Sequence, residues 1–290
     1  HAGLDAGAVD VAATLARLAA RGSRPLAAPD AVTGGRLAGR VVRHDGVDAR
    51  APISLTLGAT TAGLDVELGV VALGPDGAFA VDGLLAGEAV RYEPEARFGG
   101  IAFRAGEAVT LAPDRPVRDG VTIDVFAVEA GDPAAIGGVS SLAKADAARG
   151  ELAVFEVWQI ANDGTTVRVG RDGRPSFVLP LPTGARDVTL EDRTTRFDVA
   201  AASTSEPGGI AVRLPVPPGG LEIVASYAMP YGGRTAVLDR TLDAGAERLG
   251  LVVADAGASA SGDLLAGPTP DRFGDVDVVR YSGGPAAPGQ

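Results

Sequence analysis

Along most of the chain the hydrophobic positions repeat every second residue. Over 53–57, Ile53, Leu55 and Leu57 share one parity while Ser54 and Thr56 share the other, the pattern of a strand with one face in a core. The same alternation predicts strands over 37–42, 66–73, 78–81, 88–93, 100–105, 109–111 and 122–128. Between two of them Pro75-Asp76-Gly77 sets a tight turn, because proline fixes φ and glycine takes the left-handed position. The stretch 151–185 organises the second half. Leu152, Val154, Trp158 and Ile160 lie on one parity and Ala153, Phe155 and Val157 on the other, which predicts a central strand apolar on both faces. Asn162-Asp163-Gly164 then predicts a hairpin turn into 165–169. The run 176–181 ends at Pro180 and Pro182, so it belongs at an edge or a strand end. Further strands are predicted over 187–190, 194–199, 209–214, 221–228, 235–241 and 248–254.

Two regions depart from alternation. Val9, Ala12, Ala13, Ala16 and Ala20 recur at helical spacing, with Asp10 near the start and Arg21-Gly22 after the end, and predict a short amphipathic helix. Pro25, Pro29 and Gly34-Gly35 follow as a linker. A second break over 131–150 contains Asp132-Pro133 and Gly137-Gly138 and reads as a domain junction. The expected architecture is all-β, with two antiparallel β-sandwich domains in tandem over 36–130 and 151–256. An N-terminal helix and linker occupy 1–35, and an irregular Pro/Gly-rich tail occupies 257–290, with one strand or contact segment at 276–281.

Composition narrows the function classes. The 290 residues give length for about two domains, and 41 glycines with 20 prolines suit many short strands joined by turns. With no cysteine, disulfides and thiolate metal sites are excluded. A net charge of −11 opposes nucleic-acid phosphate and anionic lipid, both of which require a basic patch. Lys144 is the only lysine, which reads as coding bias. No window approaches the roughly 18 consecutive apolar residues of a membrane span. The chain opens on His1 without an initiator methionine, as a mature end left by signal-peptide cleavage does, although a truncated chain opens in the same way.

Gly39-Arg40-Val41, Ala51-Pro52-Ile53-Ser54-Leu55-Thr56-Leu57, Asp76-Gly77-Ala78-Phe79-Ala80-Val81 and Leu84-Leu85-Ala86-Gly87, in that order, resemble the carboxypeptidase regulatory-like (transthyretin-like, prealbumin-like) family. In that family these pieces lead to a tyrosine-bearing strand, here at Tyr92. The resemblance spans about residues 36–128 and implies an accessory β-sandwich of an exported protein without catalytic residues of its own. More loosely, Trp158 with Asn162, Phe177-Val178-Leu179-Pro180, Gly184-Ala185, Pro217-Pro218-Gly219 and Tyr227 resemble the region that follows such modules in exported bacterial proteins.

Candidate chemistry is sparse. A terminal amine with the imidazole of His1 can chelate copper, and His44, beside Asp45, is the one further imidazole. A Ser-His-Asp site would have to recruit one of these histidines, and Ser140-Ser141 lies in the expected junction. Glu191-Asp192 and the pair Asp275 and Asp277 offer carboxylates for glycosidase chemistry, against their ordinary use as solvated or capping turn residues. Asp271 to Asp277 (DRFGDVD) superficially suggests a calcium loop without the spaced ligand set. Gly164, Gly170 and Gly173 stand between strands with no helix N-terminus to receive a phosphate. Trp158 reads as a core residue before a ligand platform. The helix around Leu15 and Leu18 suits a partner or its own sandwich equally. No catalytic, cofactor-binding or metal-binding residue is therefore expected, and no cofactor. The expected function is a non-enzymatic extracytoplasmic accessory or scaffold subunit that binds other proteins at the outer face of a membrane complex. An electron-transfer or photosynthetic assembly would be one host. A carbohydrate- or small-ligand-binding module is the alternative, and a copper-binding sandwich using His1 stands third.

Overall fold

The structure is a computed structural model. It describes residues 32–61, 64–146, 148–195, 198–231, 235–254 and 258–289; the predicted helix over 9–20, with Leu15 and Leu18, and the candidate His1 lie outside them. The described residues are all-β in several sheets with a single 3-10 turn, and the chain divides into two compact units, His1–Ala127 and Val128–Gln290.

The first unit contains β1 (Val32–Arg43), β2 (Ser54–Thr61), β3 (Leu64–Val71), β4 (Ala78–Ala86), β5 (Val90–Phe98), β6 (Ile101–Arg104), β7 (Val109–Thr110) and β8 (Val117–Val125). They form a three-stranded sheet, β4-β1-β8, and a second sheet, β3-β2-β5-β6, with β7 also paired to β5. Of the four motifs, 39–41, 76–81 and 84–87 adjoin through the pairing of β1 with β4, while 51–57 leads into β2 of the other sheet. Gly39 on β1 sits opposite both Phe79 on β4 and Val121 on β8, and a β-carbon there would stand 2.0 Å from the Val121 carbonyl oxygen, so only glycine allows the strands to approach this closely. Gly77 has φ of 81°, and its carbonyl accepts a 2.9 Å bond from Val41 N–H, tying the Asp76-Gly77 turn to β1.

Tyr92 on β5 is fully buried. Its hydroxyl accepts from Leu85 N–H at 2.8 Å and donates to the Leu85 carbonyl at 2.9 Å, closing the corner between β4 and β5. Burial pushes the phenol up to about 12, against the opposing bond from the Leu85 backbone. Because the folded value lies above the ordinary value of about 10, the resulting stability is fully present below pH ~10 and is lost as pH rises through ~12, a span of about 3 kcal/mol. Tyr92→Phe should cost about 1–3 kcal/mol at neutral pH by leaving the Leu85 backbone unpaired, and should flatten this alkaline dependence. Urea melts at pH 8 and above pH 11 measure both, and equal midpoints for variant and parent would refute the corner's role.

The second unit contains β9 (Val128–Gly131), β10 (Ile136–Asp146), β11 (Glu151–Ile160), β12 (Val167–Gly170), β13 (Phe177–Pro180), β14 (Arg186–Asp192), β15 (Ser203–Glu206), β16 (Gly209–Val212), β17 (Leu221–Pro230), β18 (Leu249–Val253), β19 (Leu265–Phe273) and β20 (Val276–Gly283). A seven-stranded sheet runs β14-β17-β11-β10-β18-β20-β19, beside a β13-β16-β15 sheet and a β12-β9 ribbon. The Trp158 strand, β11, lies between β10 and β17, as its two-sided apolar pattern predicts, and β13 lies at a sheet edge, where Pro180 is tolerated.

Several expectations need correction. The predicted linker 131–150 contains β10, a central strand whose glycines and serines lack apolar contrast but whose alternate residues Val139, Ser141 and Ala143 are buried. The predicted irregular tail contains the β19–β20 hairpin, which extends the sheet beyond β18. The segment 165–169 does not return along β11; β12 pairs parallel with β9. Parallel pairing also joins β1 to β8 and β10 to β18, so the sheets are not uniformly antiparallel. No strand forms over 194–195, 198–199 or 235–241. Among the described residues no helix is long and apolar enough to cross a membrane.

Candidate functional site

On the inner face of β11 the residues of one parity are Val154, Glu156, Trp158 and Ile160, all buried. Glu156 is therefore a carboxylate at a core position, with a relative exposure of 0%. The register places Ser141 of β10 and Ala225 of β17 directly opposite it. Ser141 Oγ donates to Glu156 Oε1 at 2.8 Å and Trp158 Nε1 donates to Oε2 at 3.2 Å. Arg240 Nη1 reaches both carboxylate oxygens at 2.7 Å. Its guanidinium carbon lies 5.0 Å from the centroid of the Trp158 ring, so the cation is held between a carboxylate and an aromatic face.

Arg240 arrives on the segment 235–248, which crosses this face without joining the sheet ladder. Its alternate residues divide the work. Leu238 packs on the cluster of Val154, Tyr227 and Met229, Leu242 enters the larger cluster around Trp158, Phe177 and Ile223, and Arg240 between them meets Glu156. The alternation over 235–241 thus marks a strap fixed by side chains, which is why the pattern resembles a strand.

The Tyr227 hydroxyl is buried without a hydrogen-bond partner among the described residues. Burial, then the negative charge of Glu156, hold this phenol well above its ordinary range. A group so placed resists ionisation, and the charge of the neighbouring Glu156 carboxylate favours its protonated form.

The sequence candidates lie apart from this cluster. His44 Nε2 is 2.8 Å from Asp124 Oδ1, and its ring stacks on Phe126 at 4.3 Å; Asp45 is exposed beside it. Asp192 caps the turn that follows it, accepting from Thr194 N–H at 2.8 Å and Thr195 N–H at 3.0 Å, whereas Glu191 is exposed, 3.9 Å from Arg193. In the supposed calcium loop, Asp271 accepts from Arg280 at 2.6 Å and Asp277 lies 3.7 Å from Arg272, so these carboxylates face guanidinium groups. The Arg272 backbone N–H, then Arg280, hold the Asp271 carboxyl below its usual range. Among the described residues no three His, Asp or Glu side chains come together as a metal site. Ser141 joins the Glu156 network while Ser140 points to the opposite, exposed face. Asn162 is buried, donating to the Thr166 carbonyl at 2.9 Å and the Val216 carbonyl at 2.8 Å; the Gly219 N–H of the Pro217-Pro218-Gly219 turn donates back to the Asn162 carbonyl at 2.9 Å. Gly164 N–H meets Asn162 Oδ1, Gly170 N–H meets Ser176 Oγ, and Gly173 accepts from Arg213, all of them ties within the fold.

Sequence reasoning missed Glu156 and Arg240. The signal for Glu156 was present, since it is the one charged member of an otherwise apolar parity. No protein-family model and no curated protein matches the chain.

Proposed function

We propose that the chain is a non-enzymatic accessory subunit of an extracytoplasmic assembly, built as two β-sandwiches, the first transthyretin-like, and binding another protein at the outer face of a membrane complex. The observation that carries this reading is the outer face of the seven-stranded sheet, where Leu142, Phe155, Val157 and Val252 remain only half-buried on a surface continuous across β10, β11 and β18. Apolar area of this kind gains most by being covered. The closed Glu156 network supports it from the other side, because that carboxylate is committed to holding the strap. The tyrosine corner at Tyr92 and the contact between Gly39 and Phe79 support the transthyretin-like assignment.

Several sheet edges support docking less well than this face. The pairing of β3 with β2, β8 with β1, β14 with β17 and β19 with β20 each contains a register break, and β19 also carries Pro268 and Pro270. Such irregularities discourage an added strand along these four edges, whereas the edge strands β6, β13 and β15 pair without a break; the apolar sheet face is the broader surface to test. Gentle extraction of native membranes followed by size separation should recover the chain in an assembly larger than itself, and Phe155→Asp should release it while leaving its melting temperature near that of the parent. A parent chain recovered only as a free monomer would end this reading.

A further inference from the structure

The same outer face carries a groove across β10, β18 and β20. It is open to solvent and has a volume of about 490 Å³, inside the range of sites that hold small molecules. Its lining is mainly apolar, with Val252 among the walls, and includes two arginines, Arg248 and Arg280, of which Arg280 stands opposite Val252 in the strand register. These cations differ in their partners. Arg280 is neutralised by Asp271, with Nε at 2.9 Å and Nη2 at 2.6 Å from Oδ2. Arg248 Nη2 donates instead to the neutral Gln159 Oε1 at 2.9 Å, and among the described residues no carboxylate lies within ion-pair distance of it. In a chain of net charge −11, an arginine without an acid beside an apolar groove is a receptor for a ligand that brings the carboxylate with it. A cation would meet repulsion at Arg248, and a strongly polar ligand would find few partners along the walls.

We propose that this groove binds a small apolar carboxylate, its charged head at Arg248 and its hydrocarbon body along β18 over Val252. A carboxylate of about 12 non-hydrogen atoms fits within a groove of this size, and weak ligands of that size bind with Kd on the order of 0.1–1 mM.

Isothermal titration of the full chain with decanoate tests the site, with octylammonium as the apolar cation for comparison. Saturable binding of decanoate in this range is expected, with at least a tenfold loss on Arg248→Gln. Arg280→Gln should weaken binding by less than about threefold, since Asp271 already offsets that charge. Ser282→Leu places bulk in the groove from an exposed position and should abolish binding through shape alone. Both Arg248→Gln and Ser282→Leu should melt near the parent temperature without ligand, which separates loss of a site from loss of the fold. Absence of saturation by about 10 mM decanoate, equal affinity for octylammonium, or unchanged affinity in both variants would overturn the proposal. Val252 also belongs to the face proposed for docking, so the titration is made on the isolated chain, where no partner competes for that surface.

Discussion

Arg240→Ala is expected to destabilise the second unit by about 3–5 kcal/mol, the range for removing one partner of a buried ion pair. The substitution leaves Glu156, which has no exposed surface, with only the Ser141 and Trp158 donors at its carboxylate. It also strips the cation from the Trp158 face and frees the strap between Leu238 and Leu242. The magnitude reflects the uncompensated charge more than the attraction itself, since a buried pair roughly balances its own desolvation. A double-mutant cycle separates the two. Adding Glu156→Gln to Arg240→Ala removes both charges, keeps an acceptor for Ser141 or Trp158, and should recover at least half of the loss. Chemical denaturation followed by fluorescence is well placed to measure this, because Trp158 is the only tryptophan in the chain and lies against the altered pair. A loss below about 1 kcal/mol for Arg240→Ala would mean that water replaces the guanidinium and that the strap is not pinned at this point.

This pair also marks how far the sequence can be read. The β class follows from period-two alternation, and Tyr92, Gly39 and Pro180 occupy positions that local chemistry demands. The centrality of β11 is readable because its apolar residues occupy both parities. Glu156 interrupts that pattern at a single position, and such an interruption does not reveal its partner. Arg240 is 84 residues away, and nothing local distinguishes it from the other arginines. Non-local pairing hides other features for the same reason. β10 reads as a linker because Gly137, Gly138, Ser140 and Ser141 carry little hydrophobic contrast, and its burial comes from β11 and β18 on either side. The parallel pairing of β9 with β12 joins two four-residue strands, too short for alternation to assign a partner. Strap and strand present the same alternation, and only the backbone ladder tells 235–241 from its neighbours.

The arrangement links the strap to the outer face. β11 presents Glu156 and Trp158 inward and Phe155 and Val157 outward, so one strand carries both the buried anchor and part of the surface proposed for docking. A strand fixed at its inner face by an ion pair, an indole and two flanking ladders holds the outward side chains in fixed register. Rigidity of that kind lowers the conformational cost of association, which gives the inner network a bearing on binding without direct contact.

Trp158→Ala is expected to be at least as severe, at about 3–5 kcal/mol. The indole is fully buried and lies between Val139 of β10 and Ile223 of β17 in the sheet register, within the cluster that includes Phe177, Leu179 and Leu214. Removing it leaves a void in close-packed surroundings, withdraws the N–H from Glu156 Oε2, and removes the face on which Arg240 rests. Trp158→Phe divides these contributions. It retains an aromatic face and much of the volume but offers no N–H, so it should cost about 1–3 kcal/mol. The remainder of the alanine effect then belongs to the cavity and the lost face. Because both substitutions remove the fluorophore, far-UV circular dichroism in urea is the appropriate measurement. If alanine and phenylalanine cost the same, the hydrogen bond to Glu156 governs the site. A phenylalanine variant as stable as the parent would place the energy in packing, and an alanine variant as stable as the parent would show that Trp158 does not anchor this core.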